Sequence, residues 1–271
     1  MQTSPFRAAH PYPLFLNAVA VLGGIIDPLA GVFTTLLRIF WRSRLPNRAD
    51  TPQRRRRGLT LILGGIEGPS RYAASMARGL LMSGYRGSVA VFPWNRRGAR
   101  GIPLLYVLRN LMNRRHHERW SDRLVRTILD YRSEYPNSPV NLLAQSGGCW
   151  VTLRALEKLP AGVCVRSVVW LAPSISPARD IAAAVSRCQH GLVSFGGPGD
   201  FFFLGMGTLL LGTSDRVHTP SAGWIGWRHR PQGFTECRWR PAWIKFGYLG
   251  NHTSTSARRF IEDFVAPQHI R

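Results

Sequence analysis

Short apolar runs alternate with stretches of helical spacing along most of this chain. Apolar runs bounded by glycine, proline or polar residues predict buried strands, at residues 59–63, 88–92, 139–144, 166–172 and 191–195, with a further strand at 243–248. Apolar residues three and four positions apart predict helices, at residues 71–83, 104–111, 119–131, 150–159, 181–188 and 256–264. Strands that alternate with helices favour a parallel sheet with right-handed crossovers. We therefore expect an α/β fold class, with a mostly parallel central sheet and helices on both faces.

The third apolar run ends at a serine that is held between small residues. The sequence from Ala144 to Gly148 reads Ala-Gln-Ser-Gly-Gly and continues with helical spacing. A strand that turns sharply into a helix pushes a serine Oγ outward and directs the N–H groups of the helix start towards the same point. Ser146 is therefore a candidate nucleophile. A glycine-rich turn with an incidental serine is the alternative interpretation of these five residues.

A second donor of hydrogen bonds is expected after the first strand, which ends at Gly64-Gly65. The backbone N–H of Ile66, or that of Gly65, would join the N–H of Gly147 around a developing oxyanion. The glycine pair also has a plain interpretation as a strand-ending turn. Glu67, which follows, either orients this loop or caps it in solvent.

An acid and a base also follow predicted strands. Asp200 closes the turn Gly-Gly-Pro-Gly-Asp directly after the fifth strand, where a carboxylate suits an acid partner for a histidine. His252 lies on a glycine-bearing loop between the last strand and the last helix, so that it can reach over the sheet edge to Ser146. Asp215, in the sequence Gly-Thr-Ser-Asp, is the alternative acid.

With these motifs, residues 59–267 resemble an α/β-hydrolase fold domain of the serine esterase, lipase and thioesterase group. The triad of that fold follows the chain order serine, acid, histidine, which is the order of Ser146, Asp200 and His252 here. The spacing from Ser146 to Asp200 predicts a compact domain without a large lid, and the resemblance implies an acyl-enzyme mechanism that needs no metal or organic cofactor. Ser146 would attack an acyl carbonyl, His252 would take its proton, and Asp200 would hold the imidazole. The chain departs from the family at Gly64, where a histidine is usual, and in lacking the two opening strands of larger members.

An apolar segment precedes this domain. Residues 14–41 are about as long as a membrane-spanning helix requires. Asp27-Pro28 interrupts the stretch, because a carboxylate in the middle of a membrane is energetically costly and proline kinks or ends a helix. Insertion in or on a membrane, and packing on the domain or on a second subunit, both stay open. Residues 42–58, rich in arginine and proline, are interpreted as an exposed linker. The expected organisation is an apolar segment with its linker at 1–57 and a hydrolase domain at 58–271.

The charges around that segment bear on where the protein acts. Most of the arginines near residues 14–41 follow the stretch instead of preceding it, so the positive-inside bias would place the rest of the chain on the cytoplasmic side. A secretory leader fits poorly, because no small-residue cleavage site is evident. We expect the protein at the cytoplasmic side of a membrane or in the cytoplasm, and not secreted.

Composition limits the choice of partners. The 271 residues carry 36 Lys+Arg against 14 Asp+Glu, a formal charge of +22, which attracts anionic membranes and nucleic acids, although arginine bias also follows from a GC-rich genome. Nucleic acid is less favoured, since the basic residues are spread along the chain instead of forming one stripe. The segment 201–211 is too apolar for water, and it walls an acyl pocket, lines the core or contacts a bilayer. Together these features favour a lipid-like acyl ester near an anionic surface over a small soluble ester.

The sequence contains two other sets of reactive residues. Cys149, Cys164, Cys188 and Cys237 lie far apart without C-x-x-C spacing, which indicates free thiols instead of a zinc site or a disulfide framework. His116-His117 lies in a polar insert between two predicted helices, and adjacent side chains on a helix point in different directions, so a metal site or base there is not favoured. A hydrolase-fold binding or scaffold protein at a membrane, without catalysis, is the alternative function. The sequence does not specify the acyl group, the leaving group or the oligomeric state.

Overall fold

Six parallel strands form the centre of the domain. The computed structural model describes residues 49–66, 71–94 and 110–270. Within them the strands form a sheet of order β2-β1-β3-β4-β5-β6, and every neighbouring pair is parallel. The strands are β1 (Leu59–Leu63), β2 (Ser88–Val91), β3 (Val140–Gln145), β4 (Ser167–Leu171), β5 (Leu192–Gly196) and β6 (Phe234–Arg238). The predicted parallel α/β architecture and its first five strands are confirmed.

Helices connect the strands and cover both faces of the sheet. The longest helix of the described residues is α3, and the chain after β5 forms mostly short helical turns. The α-helices are α1 (Pro52–Arg55), α2 (Arg71–Met82), α3 (Arg114–Glu134), α4 (Gly147–Lys158), α5 (Ala182–Val185), α6 (Thr208–Leu211), α7 (Ala222–Ile225), α8 (Arg258–Phe260) and α9 (Ala266–His269). The described residues also contain two π-helical segments, Phe201–Gly207 and Ile261–Val265, and two 3₁₀-helices, Pro241–Phe246 and Ser254–Ser256, and residues 110–112 are helical as well.

The core consists of two apolar clusters, one on each face of the sheet. Alternate residues of a strand point to opposite faces, and β1 shows this directly: Leu61 and Leu63 join the cluster under α3 and α4, whereas Ile62 joins the other cluster. That second cluster lies under α2 and the C-terminal helical run, where Phe260 is fully buried. Because both faces are covered, the strands are buried apolar runs, which is why they were recognisable in the sequence.

The last strand was wrongly predicted. Residues 243–248 were expected to be extended, but the 3₁₀-helix Pro241–Phe246 occupies most of this stretch, and the sixth strand is β6. Pro241 stands in the first turn of that helix, where its fixed φ favours helical geometry. Strand β6 lies at the sheet edge and is only partly buried, with Glu236 at its centre, so it lacks the apolar run by which the other strands were recognised.

The polar insert predicted around His116-His117 was also wrong, because α3 already begins at Arg114. The side chain of Asn113 accepts a hydrogen bond of 2.9 Å from the N–H of His116 and so caps the helix. The helix predicted at 181–188 is confined to α5, and most of the one predicted at 104–111 lies outside the described residues.

Part of the stretch interpreted as an exposed linker contacts the domain. The carboxylate of Asp50 pairs with Arg55 at 2.7 Å and accepts a hydrogen bond of 2.6 Å from Ser88 Oγ. The hydrogen bond from Arg55 holds the pKa of the Asp50 carboxyl below its usual value. Residues 14–41 lie outside the described ranges, and within those ranges no helix is both long and apolar enough to cross a membrane.

Candidate active site

Ser146 lies in the sharp turn between β3 and α4. Its backbone has φ 53° and ψ −124°, a conformation that non-glycine residues rarely adopt and that stores strain. Its N–H donates to the carbonyl oxygen of Leu171 at 2.9 Å, at the carboxyl end of the neighbouring strand β4. Ser146 is 5% exposed. The predicted strand-to-helix turn is present, and the strain at the serine shows that the surrounding structure holds it in place.

The small residues around Ser146 are required by close packing. A Cβ added to Gly148 would lie 2.6 Å from the carbonyl oxygen of Gly64 and 2.7 Å from that of Leu63. The start of α4 therefore rests directly on the backbone at the end of β1, and only glycine fits at position 148. Ala144 is fully buried, which is consistent with the expectation that a small residue suffices there.

His252 and Asp200 form a pair at the same edge of the sheet. The distance from His252 Nδ1 to Asp200 Oδ2 is 2.7 Å, and the carboxylate side chain is 1% exposed. An Nδ1–H that donates to a buried carboxylate fixes the tautomer in which Nε2 is the basic nitrogen. The two loops that carry these residues are in backbone contact, because a Cβ added to Gly197 would lie 2.4 Å from the carbonyl oxygen of Gly250. Their glycines allow this approach.

Gln145, which the sequence analysis did not single out, joins the serine turn to the histidine loop. Its Nε2 donates hydrogen bonds to the carbonyl oxygen of His252 at 3.1 Å and to Thr255 Oγ1 at 3.2 Å. Thr255 Oγ1 in turn donates to the same carbonyl oxygen at 2.8 Å. The residue before Ser146 thus holds the backbone of His252 beside the end of β3. The available signal was a polar residue at the carboxyl end of a buried strand, next to the candidate nucleophile.

The residues expected to bind an oxyanion also lie together. A Cβ added to Gly147, the first residue of α4, would lie 2.7 Å from Ile66 Cγ2. In the part of the chain that the structure describes, neither the N–H of Gly147 nor that of Ile66 donates a hydrogen bond. Gly65 precedes Ile66 in the same turn after β1. Glu67 lies outside the described residues.

Two side chains fix the turn after β1. Trp94 Nε1 donates to the carbonyl oxygen of Gly64 at 2.8 Å, and Asn110 Nδ2 donates to that of Ile66 at 2.9 Å. With their carbonyl oxygens held in this way, the peptide groups of the turn have a defined orientation. Neither Trp94 nor Asn110 was predicted to have this role, because both are distant from the turn in the sequence.

The remaining candidates have structural contacts. The carboxylate of Asp215 accepts hydrogen bonds from Ser176 Oγ and Thr213 Oγ1, both at 2.6 Å, so it pins two loops together while Asp200 pairs with His252. His116 Nε2 and His117 Nε2 lie 2.9 and 2.6 Å from backbone carbonyl oxygens.

All four cysteines are free thiols. Complete burial raises the pKa of Cys149, and burial raises the pKa of Cys188 to about 12 and that of Cys237 to about 11. These three thiols are therefore protonated near neutral pH and are poor nucleophiles. Among the described residues, no group of His, Cys, Asp and Glu side chains is arranged to hold a metal ion.

The segment after Asp200 presents apolar side chains to solvent next to the His252 loop. The ring of Phe203 lies 5.1 Å from the imidazole of His252, centroid to centroid, while Leu204 is buried. Most of the other large side chains in this segment are at least one third exposed: Phe201, Phe202, Met206, Leu209, Leu210 and Leu211. Lining the core was one of the three roles predicted for residues 201–211, and only a minority of these residues have it.

Comparisons with known proteins add little to this geometry. Neither a protein-family model nor a curated protein sequence matches the chain. Among solved structures, a Trichoderma reesei cutinase in complex with a phosphonate inhibitor aligns over 96% of this chain and 92% of its own, with 14% identity and a TM-score of 0.35. A similarity of this size does not bear on the activity, which has to be argued from the site itself.

Proposed function

We propose that the protein is a serine hydrolase that cleaves carboxylic esters or thioesters through an acyl-enzyme. The observation that carries the proposal is the His252–Asp200 pair of 2.7 Å, joined through Gln145 to the strained turn of Ser146. A buried carboxylate, an imidazole and a serine in such a turn are the three groups that acyl transfer requires.

Each group has a defined role in the proposed reaction. Ser146 Oγ attacks the acyl carbonyl while His252 Nε2 accepts its proton, and Asp200 stabilises the imidazolium that forms. The N–H groups of Gly147 and Ile66, with Gly65 as the alternative to Ile66, donate hydrogen bonds to the oxyanion. The imidazolium then protonates the leaving group, and a water molecule deprotonated by the same imidazole releases the acid and restores Ser146.

A fluorophosphonate probe, which reacts covalently with an activated serine, tests the proposal. We expect the wild-type protein to be labelled, Ser146→Ala to be unlabelled, and Asp200→Asn to react about 10⁴ times more slowly, because the wrong histidine tautomer is then favoured. Ser186→Ala, at an exposed position after α5, is the matched control and should label like the wild type. A folded wild-type protein that the probe does not label would contradict the proposal and favour the non-catalytic scaffold.

A lipid-like ester is the substrate class that the surroundings of the site favour. The exposed apolar segment 201–211 begins directly after Asp200, and the formal charge of +22 suits an anionic lipid surface at the cytoplasmic side of a membrane. Hydrolysis of p-nitrophenyl esters of increasing chain length tests this part. We expect octanoate to be preferred over acetate in kcat/KM, after subtraction of the rate of Ser146→Ala, and a clear preference for acetate would contradict it.

A further inference from the structure

Ser214 carries a buried hydroxyl that the mechanism above does not use. The residue is 1% exposed, and its Oγ has no hydrogen-bond partner within the described part of the chain. A hydroxyl removed from water without a partner costs free energy, so such groups are uncommon and often have a function.

The position of this hydroxyl relates it to the residues proposed to bind the oxyanion. A Cβ added to Gly147 would lie 3.7 Å from Ser214 Oγ and 2.7 Å from Ile66 Cγ2. The Ser214 hydroxyl and the Ile66 side chain therefore approach the same side of Gly147, immediately after the nucleophile.

The backbone of Ser214 is fixed relative to Ser146. The N–H of Ser214 donates to the carbonyl oxygen of Ser174 at 2.8 Å, and the N–H of Ser174 donates to that of Ser146 at 3.4 Å. On the other side of Ser214, the Asp215 carboxylate accepts a hydrogen bond of 2.9 Å from the N–H of Ser176. The loop that carries this hydroxyl is thus hydrogen-bonded to the site, although the hydroxyl itself makes no hydrogen bond to any described residue.

We propose that Ser214 Oγ–H is a third donor to the oxyanion, alongside the N–H groups of Gly147 and Ile66. The inference rests on the proposed acyl transfer. The hydroxyl has no hydrogen-bond partner among the described residues of the free protein. In the transition state it would donate to the oxyanion, and this hydrogen bond strengthens as negative charge develops on the carbonyl oxygen. Such an interaction lowers the activation barrier without tightening substrate binding equally. Ser214 keeps its proton throughout, and Ser146 remains the only nucleophile.

Ser214→Ala separates this role from a structural one. We expect kcat for the preferred p-nitrophenyl ester to fall about 100-fold, with KM changed by about twofold at most. The affinity for a trifluoromethyl ketone, which forms a tetrahedral adduct with the serine, should fall by a similar factor. The Tm should not decrease, because the side chain makes no hydrogen bond that the substitution could remove. Ser214→Cys, which keeps a similar side-chain size but donates more weakly, should have intermediate activity.

Ser221→Ala is the matched control, since Ser221 is equally buried and its hydroxyl also lacks a partner in the described part of the chain. It should keep kcat within about twofold of the wild type. The inference would be overturned by wild-type kcat and ketone affinity in Ser214→Ala, or by an equal loss in Ser221→Ala. Failure of the wild type to react with fluorophosphonate would overturn the hydrolase proposal and this inference with it, whereas an unaffected Ser214→Ala in an active protein would overturn this inference alone.

Discussion

At the scale of single residues, the contact of Gly148 with the end of β1 determines how close α4 can approach the sheet. Two effects oppose each other at this position. Alanine favours a helix over glycine by about 0.5–1 kcal/mol, but its Cβ would lie 2.6 Å from a backbone oxygen, and a backbone cannot move aside as a flexible side chain can. Overpacking of this kind costs about 1–3 kcal/mol. The steric cost is therefore expected to prevail over the gain in helix propensity.

We predict that Gly148→Ala lowers the free energy of unfolding by about 1–2 kcal/mol, which is the steric cost less the gain in helix propensity, and also reduces the rate of fluorophosphonate labelling, because the start of α4 has to move. Urea unfolding measures the first effect. Gly84→Ala is the comparison, since Gly84 has φ +83° but nothing within 4 Å of an added Cβ, and the conformational cost alone is about 1 kcal/mol. If Gly148→Ala were as stable as the wild type, the close approach of α4 to β1 would be wrong.

His117 is a buried titratable residue behind the proposed site. It is fully buried, its Nε2 lies 2.6 Å from the carbonyl oxygen of Asn110, and Asn110 holds Ile66. Burial is the main cause that lowers the pKa of His117 to about 4. Because this pKa lies below the value of about 6.5 in an unfolded chain, the unfolded state takes up the proton first as the pH falls.

We predict that the protein loses stability between about pH 6.5 and pH 4 through His117. The contribution is complete above pH 6.5, and linkage gives a loss of about 2 kcal/mol by pH 5. Urea unfolding of the wild type and of His117→Gln at pH 8 and pH 5 measures this, and the variant should lose less stability on acidification. His190→Gln, at an exposed position, should behave like the wild type. An equal pH dependence in all three proteins would contradict the assignment.

At the scale of elements, the sequence predicted those strands and turns whose signal is local. Strands β1, β3, β4 and β5 are buried along their whole length and β2 along half of it, and all five appear as apolar runs. The turn at Ser146 is marked by small residues around a serine. The edge strand β6 could not be recognised, since Thr235, Glu236 and Arg238 leave it without an apolar run. The contacts of Gln145 and Asn110 could not be predicted from the sequence for a different reason, because each contact joins residues that are distant in the chain.

Gln145 offers a test of how β3 positions the histidine loop. Gln145→Met keeps the approximate volume of the side chain and removes both hydrogen bonds to that loop. We predict that kcat falls about 10- to 100-fold, because small displacements of a catalytic base are costly, while stability falls by about 1–2 kcal/mol. The rise of kcat/KM with pH, which reports the titration of the base, should also shift if the imidazole environment changes.

Asn141→Leu is the matched control for this element. Asn141 is a fully buried amide on the same strand, at the opposite end of β3 from Ser146. Its replacement should change stability but neither kcat nor the pH profile. If Gln145→Met and Asn141→Leu affected kcat equally, the loop contact would have no special role in positioning His252.

At the scale of the whole molecule, apolar exposure and positive charge are distributed differently. The arginines are spread along the entire chain, whereas half of the exposed large apolar side chains of the described residues lie in residues 201–211, which adjoin Asp200 at the carboxyl edge of the sheet. Charge of this kind attracts the protein to any anionic surface, and burial of apolar side chains in a lipid surface then determines which face contacts it. If the protein binds a lipid surface in this way, the face that the apolar segment would turn towards the lipid is the one that carries the proposed active site.

We predict that the full chain sediments with phosphatidylglycerol vesicles, binds phosphatidylcholine vesicles much less, and is progressively released as salt screens the attraction. Phe202 and Leu210 are 38% and 68% exposed, so the double substitution Phe202→Ser and Leu210→Ser should weaken vesicle binding about tenfold or more. Met82→Ser removes a side chain that is 57% exposed at the end of α2, near the opposite edge of the sheet, and should leave binding unchanged.

Equal effects of the two changes would mean that the segment 201–211 does not orient the protein. Binding that is independent of both lipid charge and salt would contradict the electrostatic part of the argument, and hydrolysis of long-chain esters would then have to be explained by the site alone.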